Sequence, residues 1–235
     1  MRIRKHQPHQ FKKIFFILPG LLVVGGIYYL TSTLLLAGAV ECYTQYGPCP
    51  TNYVTDLEWI KNHSLLTPLP ENQVSTSLKK YIEVKNVNLY RRLPKTLVVS
   101  VELRKPLGTL GPDVLGAQAI SDEEGLILGE SQNQTLPFLY STVKPQAGEK
   151  ISSDQIKALQ RLSQVSLLTQ SPVSGRLDGQ DLTIYLSNEQ KVVLNLVHSP
   201  SNWYATLQVI LERSKIHSKI QKVIDLRFTD PIITF

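Results

Sequence analysis

The chain has 235 residues, a formal net charge of +6 and two cysteines. This length is sufficient for one or two domains that each bury a hydrophobic core. Five of the 25 basic residues lie in the first 13 positions, and the other 20 are balanced by 19 acidic residues. The chain beyond its basic tail is therefore nearly neutral, which argues against a nucleic-acid-binding protein. The one dense basic stretch, residues 79–105, follows alternating strand positions and is interpreted as a solvated face.

Residues 14–40 carry no charged side chain and directly follow the basic tail, residues 1–13. This run of 27 residues is longer than the roughly 20 that a helix needs to cross a bilayer, so it predicts a transmembrane helix. The positive-inside rule then predicts a cytoplasmic N-terminus and an extracytoplasmic remainder, at the plasma membrane. A cleaved signal peptide is the alternative, although its apolar region is usually only about 7 to 15 residues long.

The two cysteines, Cys42 and Cys49, lie just beyond this uncharged run. Gly47 and Pro48 between them favour a turn that brings the sulfur atoms together. In an exported segment, an isolated pair so close in sequence predicts a disulfide. A metal site would need further ligands at a recognised spacing, and the sequence does not supply them.

Helices and strands alternate in the next segment of the chain. Thr51 or Asn52 is predicted to cap a helix that ends near Asn62, and Asn72 is predicted to cap a second helix. Two β-rich runs follow, residues 82–90 and 96–103, and the Pro94 turn separates them.

The distal half shows the same mixture of elements. Apolar residues at helical spacing predict a helix over 150–168, with Ser152 or Ser153 as its cap. Residues 182–186 and 192–196 are predicted to form a hairpin, and a second helix is predicted over 200–215. Strands are predicted over 222–228 and 231–235. This pattern favours an α+β fold in two domains joined near residues 105–112.

Four sequence segments, taken in order, resemble the FtsQ/DivIB cell-division family. They are VKNVNLYRRLPKTLVVSVELRKPL over residues 84–107, ISDEEGLI over 120–127, LPFL over 136–139 and IDLR over 224–227. The first is similar to the end of a POTRA domain, and its motif residues are Arg91, Arg92, Pro94, Arg104 and Pro106. The chain departs from the family pattern at Gly108, where alanine is usual.

The resemblance implies both an architecture and a role. The predicted fold class is α+β, with one N-terminal transmembrane helix, a small POTRA-like βααββ domain over residues 41–107, and a mixed α/β domain with antiparallel hairpins over residues 108–235. The implied role is that of a division-septum scaffold that binds bitopic partners of the FtsL and FtsB/DivIC type. Through them it would help recruit or regulate the septal peptidoglycan synthase.

No catalytic, cofactor-binding or metal-binding motif is recognisable in the sequence, so neither an enzymatic activity nor a cofactor is predicted. Asp122, Glu123 and Glu124 are adjacent carboxylates, but a hairpin turn explains them better than acid–base chemistry does. Two alternatives remain open at this point. One is a membrane-anchored cell-wall enzyme such as a sortase or peptidase, and the other is a POTRA component of an export or assembly pathway.

The C-terminal strand is the predicted partner-binding site. A strand at a sheet edge presents backbone donors and acceptors to which a partner segment can pair. The residues predicted to take part are Val223, Ile224, Asp225, Leu226, Arg227, Phe228, Ile232, Ile233 and Phe235.

Overall fold

The computed structural model describes residues 25, 26, 29, 37–61, 68–93, 95–132, 135–186, 189–217 and 221–235, with the backbone alone for 215–217. These residues form an α+β structure that is mostly β-sheet. The chain divides into two compact units, the first ending at Leu103 and the second spanning Arg104–Phe235. The sequence had placed the boundary between residues 107 and 108.

The predicted transmembrane helix is the part of the fold-class prediction that the structure corrects. In the part of the chain that the structure describes, no helix is long and apolar enough to cross a membrane. Ala39 and Val40, predicted to end that helix, instead begin the first strand, where they pair with Thr96 and Leu97. Long-range pairing with a buried strand thus overrides the local apolar character at this end. Most of residues 1–36, including the predicted cytoplasmic tail, lies outside the described residues.

The first unit is a four-stranded sheet, and its helical segments lie between the second and third strands along the chain. Its elements are β1 (Ala39–Thr44), β2 (Gly47–Pro48), α1 (Thr51–Asp56), a 3-10 turn (Glu58–Ile60), α2 (Glu71–Leu78), β3 (Val84–Arg92) and β4 (Thr96–Leu103). The strand order is β2-β1-β4-β3. Strand β4 is central, pairing in parallel with β1 and antiparallel with β3. Apart from the two-residue β2, this is the βααββ order.

The core of the first unit lies between this sheet and its helices. Leu97, Val99 and Val101 project from β4 into a cluster with buried residues of the helical segments. The predicted caps of the two helices are wrong. Pro50 and Pro70 occupy the N-cap positions and make no side-chain cap hydrogen bond. Proline starts a helix by its fixed φ, and its missing amide costs nothing in the first turn.

The second unit is built on nine described strands and two helices. They are β5 (Pro106–Gly111), β6 (Gln118–Asp122), β7 (Ile127–Ser131), β8 (Phe138–Tyr140), α3 (Ser153–Thr169), β9 (Ser174–Asp178), β10 (Asp181–Tyr185), β11 (Lys191–Asn195), α4 (Trp203–His217), β12 (Val223–Asp225) and β13 (Ile232–Thr234). They form one sheet in the order β13-β12-β11-β10-β9-β8-β5-β6-β7. Strands β5, β8 and β9 pair in parallel. The prediction for this domain named antiparallel hairpins and no parallel pairing.

One face of this sheet packs beneath the helices. Leu139, Gly175 and Ile184 lie side by side on neighbouring strands, and the row continues through Val192 and Ile224. The four apolar residues of this row are buried in the cluster to which both α3 and α4 contribute. A methyl group added at Gly175 would lie 2.7 Å from a Leu162 Cδ atom of α3, so helix and sheet are in close contact.

Candidate partner-binding site

Strand β13 lies at one end of the nine-stranded sheet. It pairs antiparallel with β12, with Ile233 opposite Ile224 and Ile232 opposite Asp225. Strand β12 continues into the sheet by a parallel pairing with β11. Among the described strands, no second neighbour pairs with β13. One edge of β13 is therefore paired and the other is open to an added strand.

Side chains near this edge divide into buried and exposed groups. Ile224 and Leu226 are almost fully buried in the core, so their side chains pack within the unit and do not line an exposed surface. Phe228, Ile232 and Phe235 are 54%, 55% and 62% exposed. Large apolar side chains that remain so exposed at an open strand edge are characteristic of an interaction surface.

Asp225 and Arg227 form an ion pair with each other. The Arg227 Nε and Nη2 atoms donate to the two carboxylate oxygens of Asp225, at 3.0 and 2.7 Å. Arg227 Nη1 donates to Asp181 on β10 at 2.8 Å, and Asn195 on β11 donates to the other oxygen of Asp181 at 2.7 Å. The network therefore connects the end of β12 with two inner strands.

This network shifts the pKa values of both carboxylates. The hydrogen bond from Asn195, followed by that from Arg227, lowers the pKa of Asp181. Burial opposes ionisation of Asp225, but the hydrogen bonds from Arg227 outweigh it, and the pKa of Asp225 is also lowered. In turn, Asp225 and Asp181 raise the pKa of Arg227. All three groups are therefore charged at neutral pH.

The strand predicted over residues 222–228 ends at Asp225. The Arg227 amide donates to the Asp225 side chain at 3.1 Å, which turns the chain out of the ladder. Phe228 consequently lies in the connection between β12 and β13. Its exposed ring is 5.7 Å from the guanidinium carbon of Arg227. The network thus fixes the start of the connection that leads from β12 to β13.

Cys42 and Cys49 form the predicted disulfide, with 5.3 Å between their Cα atoms. Cys42 lies in β1, and the Cys49 amide donates to the Cys42 carbonyl at 3.0 Å. Both of the chain's cysteines are consumed by this bond, so neither provides a free thiolate nucleophile. A cysteine-dependent cell-wall enzyme such as a sortase, one of the two alternatives, would need one of these thiols to be free.

The described residues of the POTRA-like motif are divided between the two units. Arg91 and Arg92 end β3, and Arg92 forms a 2.7 Å ion pair with Glu41 of β1. Arg104 belongs to the second unit, where it binds buried Asp122 at 2.6 Å and Glu124 at 3.0 Å. Burial opposes its charge, yet these hydrogen bonds raise the pKa of Arg104. Pro106 begins β5, and Pro94 lies outside the described residues.

The sequence pointed to the terminal segment as a binding edge, but not to the inner-strand residues that anchor it. Asp181 and Asn195 were not predicted to contribute, because no local pattern connects them with Arg227, which is 46 residues beyond Asp181. No group of three or more His, Cys, Asp or Glu residues in the described part of the chain is arranged to hold a metal ion.

Comparison with known proteins adds no further assignment. Neither a protein-family model nor a curated protein matches this chain. The resemblance to the FtsQ/DivIB family thus rests on the four sequence segments and their order.

Proposed function

We propose that this chain is a non-catalytic scaffold of the cell-division machinery, similar in role to FtsQ/DivIB proteins. Its two units act on the outer side of the plasma membrane at the division septum. The ordered sequence segments support this proposal, as do the βααββ order of the first unit and the sheet of the second. The disulfide supports an extracytoplasmic location, because such bonds persist in oxidising compartments.

The open edge of β13 carries the proposal. An extended partner segment would add to this edge as a further strand, and its backbone would pair with β13. Bitopic proteins of the FtsL and FtsB/DivIC type are the proposed partners, and the septal peptidoglycan synthase would be reached indirectly through them. Exposed Ile232 and Phe235 provide apolar contacts beside the backbone pairing.

The expected affinity is moderate, because β13 is only three residues long. Each new backbone hydrogen bond contributes about 0.5 to 1.5 kcal/mol net. Burying an exposed side chain such as Ile232 or Phe235 contributes about 1.5 to 3 kcal/mol more. Ordering the partner offsets part of this gain.

Ile233 offers a direct test of strand addition. The Thr234 carbonyl accepts a hydrogen bond from the Lys222 amide at 2.8 Å, so the backbone of Thr234 faces β12. Backbone groups alternate in direction along a strand, which points the N–H and C=O of Ile233 toward the open edge. Proline at this position removes an outward donor and leaves the inner ladder intact.

The experiment compares Ile233→Pro with Ile233→Ala. Both variants lose the isoleucine side chain, and only the proline variant loses the amide donor. We expect Ile233→Pro to bind an FtsB/DivIC-type protein of the same organism about tenfold more weakly than Ile233→Ala, with similar melting temperatures. Calorimetric titration measures binding, and thermal unfolding measures stability. Equal affinities for the two variants would show that β13 does not pair with the partner.

A further inference from the structure

The second unit contains a groove that does not include β13. Its volume is about 820 Å³, and it extends over the ends of β8 and β9 to β10. Its lining includes Tyr140, Ser141, Ser174, Arg176 and Tyr185. A smaller hollow of about 220 Å³ shares Ser174 and Tyr185 with the groove and is lined by Phe138, Leu136 and Pro172.

Strand register places Tyr140, Ser174, Arg176 and Tyr185 on one face of the sheet, opposite the buried row of Leu139, Gly175 and Ile184. Gln155 of α3 also lines the groove. Tyr140 of β8 lies directly opposite Arg176 of β9, and Ser174 lies opposite Tyr185 of β10. Ser174 and Arg176 are two residues apart in one strand and therefore share a face. Leu139 and Gly175, at the intervening positions, belong to the row beneath the helices. Aromatic and cationic groups thus alternate across three strands.

One cationic side chain, Arg176, lines the groove, and a second, Lys191, lies beside the Tyr185 ring. Lys191 of β11 pairs with Tyr185, and its Nζ atom lies 5.8 Å from the centre of the Tyr185 ring. Neither Arg176 nor Lys191 forms an ion pair with any residue that the structure describes. No acidic side chain is among the residues that line the groove or the hollow. The acids Asp178 of β9 and Asp181 of β10 lie on the same face, directly opposite each other and farther along the strands.

The surroundings of the groove are apolar and aromatic. The Phe138 and Tyr140 rings meet edge to face, with centroids 4.8 Å apart. Leu115 and Val143 are 78% and 71% exposed, and each directly follows a lining residue in the chain. A ligand with apolar side chains of its own would cover these exposed groups.

We propose that this groove binds an extended acidic peptide segment of another protein, with carboxylates interspersed among apolar residues. One carboxylate pairs with Arg176, and a second reaches Lys191 beside the Tyr185 ring. An apolar side chain of the peptide fills the hollow next to Phe138. This contact uses no residue of β13, so its failure and the failure of strand addition are separate results.

The test measures fluorescence anisotropy with the full-length chain at low salt. The probe is a short labelled synthetic peptide in which Asp and Glu alternate with Leu and Ser, and its reference peptide has Lys in place of every acid. A hyaluronan oligosaccharide, which bears carboxylates without apolar side chains, represents the saccharide class. The groove variant is Arg176→Glu with Lys191→Glu. Its matched control, Lys150→Glu with Arg213→Glu, reverses two exposed charges outside the groove.

We expect the acidic peptide to bind the wild-type chain and the matched control equally. The groove variant should bind it at least about tenfold more weakly, because two attractive contacts become repulsive. The Lys-containing peptide should not bind, and Ile233→Pro should bind the acidic peptide as the wild type does. Equal losses in the two double variants would overturn the proposal, as would the absence of peptide binding or binding of the oligosaccharide alone. Unchanged melting temperatures confirm that all variants are folded.

Discussion

At the scale of single residues, Arg227 determines the path of the C-terminal segment. Sequence alternation indicated that Asp225 and Arg227 both face outward. The ion pair between them agrees with this placement, because residues two apart in a strand lie on the same face. No local pattern indicated that Asp181 and Asn195 complete the network, since they come from β10 and β11. Contacts that depend on strand register between distant segments cannot be inferred from local pattern.

The network predicts a specific dependence of stability on pH. Asp181 and Asp225 have folded-state pKa values below the usual value of 3.8. A lowered pKa contributes stability at neutral pH, which is lost as the pH falls below 3.8 through the folded-state values. Arg227→Met should therefore be less stable than the wild type at pH 7, and the difference should narrow toward pH 2.

Urea unfolding at pH 7, 4 and 2 measures this difference directly. Arg213→Met is the control, because Arg213 is an exposed arginine on α4 outside the network. Its stability relative to the wild type should not change with pH. If the difference in unfolding free energy between Arg227→Met and the wild type stayed constant from pH 7 to pH 2, Arg227 would contribute by packing alone.

At the scale of elements, sequence pattern was most successful where local signals were strong. Ser152 caps α3 as one of the two predicted residues, and it forms a capping box with Gln155. The predicted hairpin over 182–196 corresponds to β10 and β11, each within one residue of its predicted bounds. The parallel pairings of β5, β8 and β9 were missed, because strands joined through long connections leave no mark in local periodicity.

Gly108 shows how packing against a helix constrains one strand. A Cβ atom there would lie 2.7 Å from a Leu159 Cδ atom and 2.9 Å from the Pro137 carbonyl oxygen. We expect Gly108→Ala to destabilise the second unit by about 1 to 3 kcal/mol, because the backbone oxygen cannot yield as a side chain can. Gly111→Ala in the same strand is the matched control, since its Cβ would make ordinary contacts at 3.8 to 3.9 Å. Chemical denaturation measures both, and equal stabilities would contradict the predicted overlap.

At the scale of the whole molecule, the two units have separate cores and separate features. The buried cluster of the first unit and that of the second share no residue. The disulfide belongs to the first unit, whereas the β13 edge and the groove belong to the second. The sequence suggested the terminal segment as a binding edge, because this segment is continuous. It did not identify the groove, because Tyr140, Arg176 and Tyr185 come from three separate strands.

The disulfide tests whether the two units are also energetically separate. It closes a short loop, and in the chain-entropy model such a loop contributes about 2 to 3 kcal/mol. The double variant Cys42→Ala/Cys49→Ala should therefore destabilise the first unit by about this amount. Hydrogen exchange measured by mass spectrometry should show faster exchange in β1 and β4, with unchanged exchange in β10 and β11.

Gly108→Ala provides the reciprocal control, because its steric overlap lies wholly within the second unit. It should accelerate exchange in β10 and β11 and leave β4 unchanged. Reduction of the wild-type chain should reproduce the effect of the cysteine variant, since both remove the same cross-link. If the cysteine variant accelerated exchange equally in β4 and β10, the chain would unfold as a single cooperative body, and the two clusters would not be independent units of stability.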